Sequence, residues 1–295
     1  MEIVGILGSG FGLYGYAPAL VELNKTVIVP NRYRAKIVSR DELQPYLPKI
    51  EFVKEIDVLE KSNYLIVARN PESQFDIVKN IRESKRHLFL EKPLASTLTD
   101  HKELYNTLIS RNFSFSVAYL FLFTPWWQQI IQKFEIQPTS KVQINWIIAR
   151  PTGWKLDIKS GGGIALFYGI HFVPLLISDK YNFQIWSNKS DDRSQKLILV
   201  NLKGGEIEIE ILYGTKNSFQ VFESQKSRSP FCIFSAESPF GPSPARGVRD
   251  PRVEFIKPYL AQYFTGLNSL SASASVESEA IKYRESISNT NSDLN

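Results

Sequence analysis

The sequence predicts an α/β protein whose N-terminal domain is a Rossmann fold and whose C-terminal domain is α+β, built on an open, mainly antiparallel sheet. Three observations favour this class. Short apolar runs alternate with amphipathic stretches through the first 120 residues, a glycine cluster follows the first run, and long alternating strands dominate afterwards. Strands that alternate with helices are typical of a parallel sheet with helices on both faces. We therefore divide the chain into a first domain, residues 1–120, and a second, residues 121–295.

The first domain begins with a buried strand, Glu2–Leu7, and a helix over Gly12–Leu23 follows the glycine cluster. In a later helix the apolar residues Phe75, Val78 and Ile81 recur near the helical period of about 3.6 residues. The other elements predicted in this domain are strands at Thr26–Val29, Tyr64–Ala68, His87–Leu90 and Ser114–Leu120 and helices at Glu72–Ser84 and Thr99–Arg111.

Alternation of polar and apolar residues dominates the second domain. Lys141–Ala149 is a long strand of this kind. Glu206–Leu212 alternates glutamate with isoleucine, which is typical of a sheet with one face in water. The remaining features predicted are strands at Lys196–Leu202 and Ser218–Phe222, a hairpin turn at Gly204-Gly205, a long loop over residues 223–258 rich in Pro, Ser and Arg, and a helix at Val276–Ile287.

Composition excludes several classes of protein. Hydrophobic residues make up 43% of the 295, and no unbroken apolar run reaches the roughly 18 residues of a membrane span. We expect no targeting segment at the start. The single cysteine, Cys232, forbids an intramolecular disulfide and favours a cytoplasmic setting. The histidines lack metal-ligand spacing, and the bases behind the net charge of +5 are scattered, so we expect no metal site and no nucleic-acid partner.

The glycine cluster lies between the first strand and the first helix, where a dinucleotide-binding fingerprint belongs. Glycines permit the tight turn and let backbone N–H groups approach a pyrophosphate. Two registers are open: Gly8-x-Gly10-x-x-Leu13, which the strand position favours, and the literal Gly10-x-Gly12-x-x-Gly15. A purely structural turn is the alternative. The residues of this turn predicted to bind the cofactor are Gly8, Ser9, Gly10, Phe11 and Gly12.

The end of the second strand bears on which dinucleotide binds. NAD enzymes place an acid there, about 20 residues after the glycines, to hold the ribose 2′-hydroxyl. This chain continues Asn31-Arg32 and has no acid between Lys25 and Arg40. A carboxylate would repel a 2′-phosphate, whereas Arg32 would attract it and could stack on adenine. We therefore predict NADP, with NAD as the alternative, and place Asn31 and Arg32 among the cofactor-binding residues.

A lysine follows the predicted strand His87–Leu90 in the tripeptide Glu91-Lys92-Pro93. Ligands of open α/β sheets bind beyond the carboxyl ends of the strands, where Lys92 is predicted to lie. Hydride transfer between a carbon and nicotinamide needs a proton moved at the substrate oxygen, and a lysine partly removed from water beside a cationic ring releases its proton more readily. The Lys92–Pro93 bond is a candidate cis peptide. A surface lysine before a turn is the alternative.

Four motifs occur in one order: the glycine turn, Asn70-Pro71, Glu91-Lys92-Pro93, and Gly161–His171, which follows the pattern GGG-x-x-x-D-x-G-x-H with one exception. Together they resemble the Gfo/Idh/MocA family of NAD(P)-dependent oxidoreductases. The resemblance implies a dinucleotide-binding first domain, a substrate-binding and oligomerisation second domain, and a dimer or tetramer. It also implies Lys92 as the acid/base and cofactor-binding roles for Asn70, Pro71, Glu91 and Lys92.

The exception in the fourth motif is Phe167, which replaces an aspartate that the family presents to the substrate beside a histidine, here His171. Phenylalanine cannot hydrogen-bond a hydroxyl, and Tyr168 is a possible substitute donor. Gln74 and Leu122 stand where the family often has histidine and arginine. The predicted substrate-binding residues are Lys92, Trp154, Phe167, Tyr168 and His171, of which Lys92, His171 and Tyr168 are the candidate catalytic groups.

Three functions are consistent with these residues. The first is an oxidoreductase that moves a hydride between NAD(P)(H) and a carbonyl or hydroxyl of a small molecule such as a sugar or sugar nucleotide, in carbohydrate metabolism. The second is a non-catalytic dinucleotide-binding protein whose substrate site is eroded at Phe167, Leu122 and Gln74. The third is a reductase of an apolar or tetrapyrrole-like substrate, which a less polar pocket would suit. We adopt the first as the working hypothesis.

Overall fold

The computed structural model describes residues 2–82, 86–177, 182–224, 230–242, 245, 247–265 and 270–292. Their contacts form two compact units. The first comprises Met1–Ala95, Thr99–Leu120 and Ser243–Ala274, and the second comprises Ser96–Leu98, Phe121–Pro242 and Ser275–Asn295. Each unit is therefore assembled from segments that are separated in the sequence, and the division into two domains at residue 120 stays a prediction.

The first unit contains a six-stranded parallel sheet in the order β3-β2-β1-β4-β5-β6. The order reverses between the first and fourth strands, and ligands of such sheets bind beyond the carboxyl ends of the strands at this point. Its strands are β1 (Ile3–Leu7), β2 (Thr26–Pro30), β3 (Ile50–Val53), β4 (Tyr64–Val67), β5 (His87–Leu90) and β6 (Ser114–Val117).

Helices cover this sheet, and other helices belong to the second unit. The first begins as a single π-helical turn, Gly12–Tyr16, and a 3₁₀ segment, Asp41–Lys49, leads into β3. Within the described residues the α-helices are α1 (Ala17–Glu22), α2 (Arg34–Val38), α3 (Glu55–Lys61), α4 (Pro71–Asn80), α5 (Leu98–Ser110), α6 (Pro125–Ile136), α7 (Val253–Phe264) and α8 (Leu270–Ser292).

The second unit is built on a six-stranded mixed sheet in the order β12-β11-β7-β10-β9-β8. Its two central strands, β7 and β10, run parallel, and the other neighbouring pairs are antiparallel. The predicted alternation holds, because Ile207, Ile209 and Ile211 are fully buried while the intervening glutamates face outward. The strands are β7 (Lys141–Ala149), β8 (Gln184–Ser190), β9 (Ser194–Val200), β10 (Glu206–Gly214), β11 (Ser218–Glu223) and β12 (Phe231–Ala236).

The predicted fold class is confirmed, with corrections in detail. The loop predicted over residues 223–258 is wrong where it is described, because β12 and the start of α7 lie inside it. The strand predicted to end at Leu120 ends at Val117, and a 3₁₀ turn follows at Leu120–Phe123. The helix predicted over Glu72–Ser84 ends at Asn80, and Ser84 lies outside the described residues.

One apolar segment of the second unit is long. Among the described residues, Ile158–Ile177 has the length and hydropathy of a membrane-crossing helix, and 72% of its most apolar stretch is buried inside the structure. It is not a continuous α-helix: a π-helical turn, Ile164–Tyr168, is followed by a 3₁₀ segment, Gly169–Ile177, with Pro174 inside it. The segment therefore packs as core, as helices that are apolar on all sides do.

A histidine on β5 makes the free energy of unfolding of the first unit depend on pH. The Nδ1 atom of His87 lies 2.6 Å from the Ser114 hydroxyl and its Nε2 atom 3.0 Å from the Ser116 hydroxyl, both on β6. Burial lowers the pKa of His87 from 6.5 to about 4. Between these values the unfolded chain binds the additional proton, so the free energy of unfolding falls as the pH falls from 6.5 towards 4.

We predict that His87→Gln removes this pH dependence. Between pH 7 and pH 4.5 the wild type should lose about 2–3 kcal/mol more unfolding free energy than the variant, because a pKa unit is worth about 1.4 kcal/mol. Urea denaturation of both proteins at the two pH values measures the difference. Parallel losses in the two proteins would show that His87 carries no such linkage.

Candidate functional site

The glycine turn is shaped by close contacts on both sides. Gly8 directly follows β1, and a Cβ atom there would lie 2.2 Å from the backbone oxygen of Ala68, just beyond β4. At Gly12 a Cβ would lie 3.0 Å from Ile6, whereas at Gly10 the nearest atom would be 4.0 Å away. Gly8 and Gly12 thus fill packing roles, and Gly10 leaves the turn open for a ligand. This arrangement fits the register that starts at Gly8, with Gly12 in place of the third glycine.

The loop after β5 is held by one buried side chain, Gln74 on α4. Its Nε2 atom donates to the backbone oxygens of Glu91, at 2.8 Å, and Leu94, at 3.0 Å, and its Oε1 atom accepts from the Glu91 N–H at 2.8 Å. Between these anchors Lys92 is buried, 7% exposed, and the Lys92–Pro93 bond is cis, as predicted. The hydrogen bonds of the Gln74 side chain to the backbone on either side of Lys92 therefore fix the geometry of this loop.

A second anchor of the same loop is Glu91. Its carboxylate accepts a hydrogen bond of 2.6 Å from the Tyr16 hydroxyl. Burial among protein atoms raises the pKa of Glu91, and Tyr16, Lys92 and Arg252 oppose that rise. Burial and the neighbouring carboxylate raise the pKa of Tyr16 well above its usual value. Glu91 therefore ties the loop to the helix that begins after the glycine turn.

Arg252 completes the surroundings of the glycine turn. Its guanidinium lies over the Phe11 ring, 4.1 Å from the centroid, and makes paired hydrogen bonds of 2.9 and 2.6 Å to Asp250. No sequence motif indicates this contact, because Arg252 lies in the region predicted as a loop. Phe11, predicted to bind the cofactor, is thus also a structural contact of the segment before α7.

The predicted residues at the ends of β2 and β4 lie where cofactor-binding residues belong in this fold. Asn31 and Arg32 form a 3₁₀ turn directly after β2. Asn70 precedes α4 and accepts a 2.8 Å hydrogen bond from the Ser73 N–H, and Pro71 is the first helical residue. Asn70 and Pro71 therefore also serve as the start of a helix, which is a structural role beside the predicted one.

The sequence prediction missed two further residues at this edge. Arg69 follows β4 and its Nη2 atom donates to the Tyr33 hydroxyl at 2.9 Å. The same atom lies 3.5 Å from Oε1 of Glu55, the first residue of α3, and Arg32 forms an ion pair with Glu55 Oε2. Glu55 follows β3, beyond the segment between Lys25 and Arg40 where NAD enzymes place an acid, so no local sequence signal indicates it.

In the second unit the glycine-rich segment makes a compact turn. Gly161 and Gly163 have φ values of 81° and 86°, which glycine adopts without strain, and a Cβ at Gly162 would lie 2.2 Å from the Trp154 oxygen. Across the described residues 164–177, no regular α-helix follows these glycines. The π-helical turn and the 3₁₀ segment take its place, so an α-helical face shared by Phe167 and His171 cannot be assumed.

Aromatic rings surround the position of the missing aspartate. Phe167 makes edge contacts with Trp154, at 5.2 Å between ring centroids, and with Tyr168, at 4.8 Å. Tyr168 also contacts Trp146 at 5.2 Å, and burial raises the pKa of its hydroxyl. The structure thus brings together three of the predicted substrate-binding residues, Trp154, Phe167 and Tyr168, as one half-buried aromatic group.

His171 lies deeper than the aromatic group. It is 7% exposed, and its ring stacks on Phe121 with centroids 4.2 Å apart and planes inclined by 12°. Trp146 and Phe240 complete an aromatic environment at 6.4 Å each. His171 is therefore part of the core of the second unit, and a role towards substrate stays a prediction.

A buried polar network supports the segment that carries these residues. The Nε2 atom of Gln195 donates to Asn188, at 2.8 Å, and to the Tyr283 hydroxyl, at 2.7 Å, and Tyr283 donates to the Ala165 oxygen at 3.0 Å. A Cβ at Gly169 would lie 1.9 Å from the Gln195 side chain. Only glycine fits at this position, so the network fixes the backbone between Tyr168 and His171.

Comparison with known proteins agrees with the fold of the first unit, a Rossmann fold. Residues 3–119 match the model of the GFO_IDH_MocA family, described as an oxidoreductase family with an NAD-binding Rossmann fold. The matched residues, fewer than half of the 295, resemble that family, as predicted. The family description is consistent with the expected NAD(P)-dependent oxidoreductase and its dinucleotide cofactor.

Individual relatives are distant. An uncharacterized oxidoreductase of Synechocystis sp. is 21% identical over 171 residues, which are 54% of this chain and 46% of the relative, so the matched region spans about half the length of that protein. The structure of GenD2 from gentamicin A biosynthesis, solved with NAD, is similar with a TM-score of 0.73, 13% identity and coverage of 100% and 95% of the two chains. KijD10, a 3-ketoreductase of Actinomadura kijaniata solved with NADP and TDP-benzene, has a TM-score of 0.67, 13% identity and coverage of 98% and 97%.

We predict that Gln74→Leu lowers the free energy of unfolding by about 2–4 kcal/mol. The substitution keeps the volume of the buried side chain but leaves three backbone groups of the Lys92 loop without their partner, and each loss costs about 1 kcal/mol or more. Urea denaturation measures the change. Gln129→Leu, at an exposed position on α6, is the matched control and should change stability by less than about 0.5 kcal/mol. Equal effects of the two substitutions would refute the anchoring role.

Proposed function

We propose that the protein is an NADP(H)-dependent oxidoreductase that transfers a hydride between the nicotinamide and a carbonyl or hydroxyl of a sugar-like small molecule, with Lys92 as the acid/base. The observation that carries the proposal is a buried lysine on a rigidly anchored loop at the carboxyl end of β5. β5 is two strands from β1, whose end carries the open glycine turn. Both features lie on the edge of the sheet where ligands of this fold class bind.

The protein's own side chains contribute proton transfer to the proposed reaction. Reduction of a carbonyl takes up a hydride at carbon, supplied by the dinucleotide, and a proton at oxygen, which the Lys92 ammonium donates. In the oxidative direction the Lys92 amine accepts that proton. Glu91 and Gln74 act through position, because they hold the backbone on either side of Lys92 and keep the side chain in one place.

The proposed substrate class draws on the second unit and on the relatives. KijD10 is named as a 3-ketoreductase, and another protein of similar structure is named as a UDP-N-acetylglucosamine 3-dehydrogenase, which supports a sugar-like substrate. We assign Tyr168 and His171 as substrate-orienting groups and Trp154 and Phe167 as an apolar wall. The wall replaces the polar contact of an aspartate, which favours a sugar that presents an apolar face or substituent.

The aromatic group supports a second candidate, the reductase of an apolar, planar substrate. Phe167, Trp154 and Tyr168 are half-buried and pack edge to face, an arrangement that accepts a flat ring. A planar substrate would quench tryptophan fluorescence on binding, whereas a simple keto-sugar would not. Titration of the protein with both kinds of compound separates the two candidates.

We predict that Lys92→Met lowers kcat on an accepted keto-sugar by about 10²–10⁴-fold, because general acid catalysis contributes about that factor. NADPH should still bind saturably, because the glycine turn and the residues after β2 that are predicted to bind the cofactor are unchanged. Turnover is followed by NADPH oxidation, and affinity by fluorescence titration. Lys189→Met, at an exposed position on β8, is the control and should leave both quantities unchanged.

Two results would contradict the proposal. Full turnover by Lys92→Met would exclude the lysine as the acid/base. Saturable NADPH binding by the wild type without turnover on any member of a panel of keto-sugars, nucleotide-linked sugars and planar carbonyl compounds would favour the non-catalytic dinucleotide-binding protein.

A further inference from the structure

Three charged side chains meet beyond the carboxyl ends of β2, β3 and β4. Glu55 is the first residue of α3. One of its carboxylate oxygens pairs with Arg32 and the other with Arg69. Arg69 also donates to the Tyr33 hydroxyl at 2.9 Å. The sequence places these residues on three separate loops, so the fold alone assembles the cluster. We call Arg32, Glu55 and Arg69 the edge cluster.

The edge cluster has more hydrogen-bond donors than acceptors. Each guanidinium offers five N–H groups, while the cluster itself contains a single carboxylate. The Nε atom of Arg69 is buried and has no hydrogen-bond partner among the described residues. The net charge is +1, because two guanidiniums face one carboxylate. The edge cluster therefore has spare donors and a net positive charge. A phosphate monoester supplies acceptor oxygens and negative charge that match them.

The edge cluster is continuous with the glycine turn. Gly8 approaches the backbone oxygen of Ala68 so closely that no side chain fits, and Ala68 immediately precedes Arg69. β1, which carries the turn, lies between β2 and β4 in the sheet. A ligand whose diphosphate lies on the turn therefore has the edge cluster beside it. The adenosine half of a dinucleotide carries a phosphate monoester only in NADP(H), on the 2′-oxygen.

We infer that Arg69 is a coenzyme-specificity residue that clamps the 2′-phosphate of NADP(H) together with Arg32, while Glu55 holds the two guanidiniums in position before the ligand binds. The inference rests on the proposed dinucleotide function and extends it to residues outside the β2 loop. Glu55 acts here as a positioning residue. Its two oxygens are engaged by arginines, so it is not placed as the acceptor of a ribose diol, the role that an acid has in NAD enzymes.

The test is a set of binding titrations with four ligands. NADPH and NADH differ only in the 2′-phosphate, and so do adenosine 2′,5′-bisphosphate and adenosine 5′-monophosphate, which lack the nicotinamide. In the wild type the phosphorylated member of each pair should bind more tightly. Arg69→Gln should weaken NADPH and the bisphosphate about 10- to 100-fold, because paired guanidinium–phosphate hydrogen bonds are strong. NADH and the monophosphate should change by less than about threefold.

Three further variants sharpen the result. Arg69→Lys keeps the charge without the planar fork and should give an intermediate loss. Arg34→Gln removes a charge two residues after Arg32, at the start of α2. The Arg34 guanidinium packs on Phe52 at 4.2 Å, so this variant should preserve the ratio of the two coenzyme affinities. Glu55→Gln should leave NADH affinity unchanged. Urea denaturation of each variant identifies any that is unfolded, and Arg69→Lys then carries the test in place of Arg69→Gln.

Several outcomes overturn the inference. Equal weakening of NADPH and NADH by Arg69→Gln would make Arg69 a structural residue, and a selective loss of NADH affinity in Glu55→Gln would make Glu55 a ribose ligand. Wild-type protein that binds NADH as tightly as NADPH would also refute the clamp. These results leave the proposed oxidoreductase intact. Absence of saturable binding of either coenzyme to the wild type would instead refute the proposed function, and the inference with it.

Discussion

The close approach of Gly8 to the backbone of Ala68 is the contact on which the site in the first unit depends. Because no side chain fits between them, the ends of β1 and β4 lie directly against each other at the point where the strand order reverses. The open turn at Gly10, the helix start at Asn70 and the guanidinium of Arg69 are all placed within a few residues of this contact. The positions of these groups at the edge of the sheet therefore depend on the close packing of the Gly8 and Ala68 backbones.

Departure from a family motif has different meanings at different positions. Gln74, where the family often has histidine, makes three hydrogen bonds to the backbone around Lys92 and is fully buried. This replacement reinforces the loop. Phe167 has no comparable polar role, and it joins an aromatic group that changes the character of its surroundings. The motif that contains Phe167 thus departs from the family pattern, while the loop around Lys92 stays firmly held.

The sequence predicts the parts of this molecule that are encoded locally. The alternating strands β7 and β10, the buried runs of β1, β4 and β5, and the cis bond at Pro93 each depend on a few neighbouring residues. β8 and β12 were missed because they are edge strands that bury no clear face. The pairing of Arg69 with Glu55 was beyond local analysis, since it joins loops after β4 and β3 that only the sheet order brings together.

The assembly of each unit from distant segments has a consequence for biosynthesis. The parallel neighbours β7 and β10 are separated by β8 and β9 in the chain, and the first unit includes Ser243–Ala274 near the carboxyl terminus. Contacts of such long sequence separation form slowly, because the loop must close before the contact stabilises it. Neither unit can be completed on the ribosome until most of the chain has been translated. The nascent polypeptide consequently exposes apolar strands for much of its synthesis.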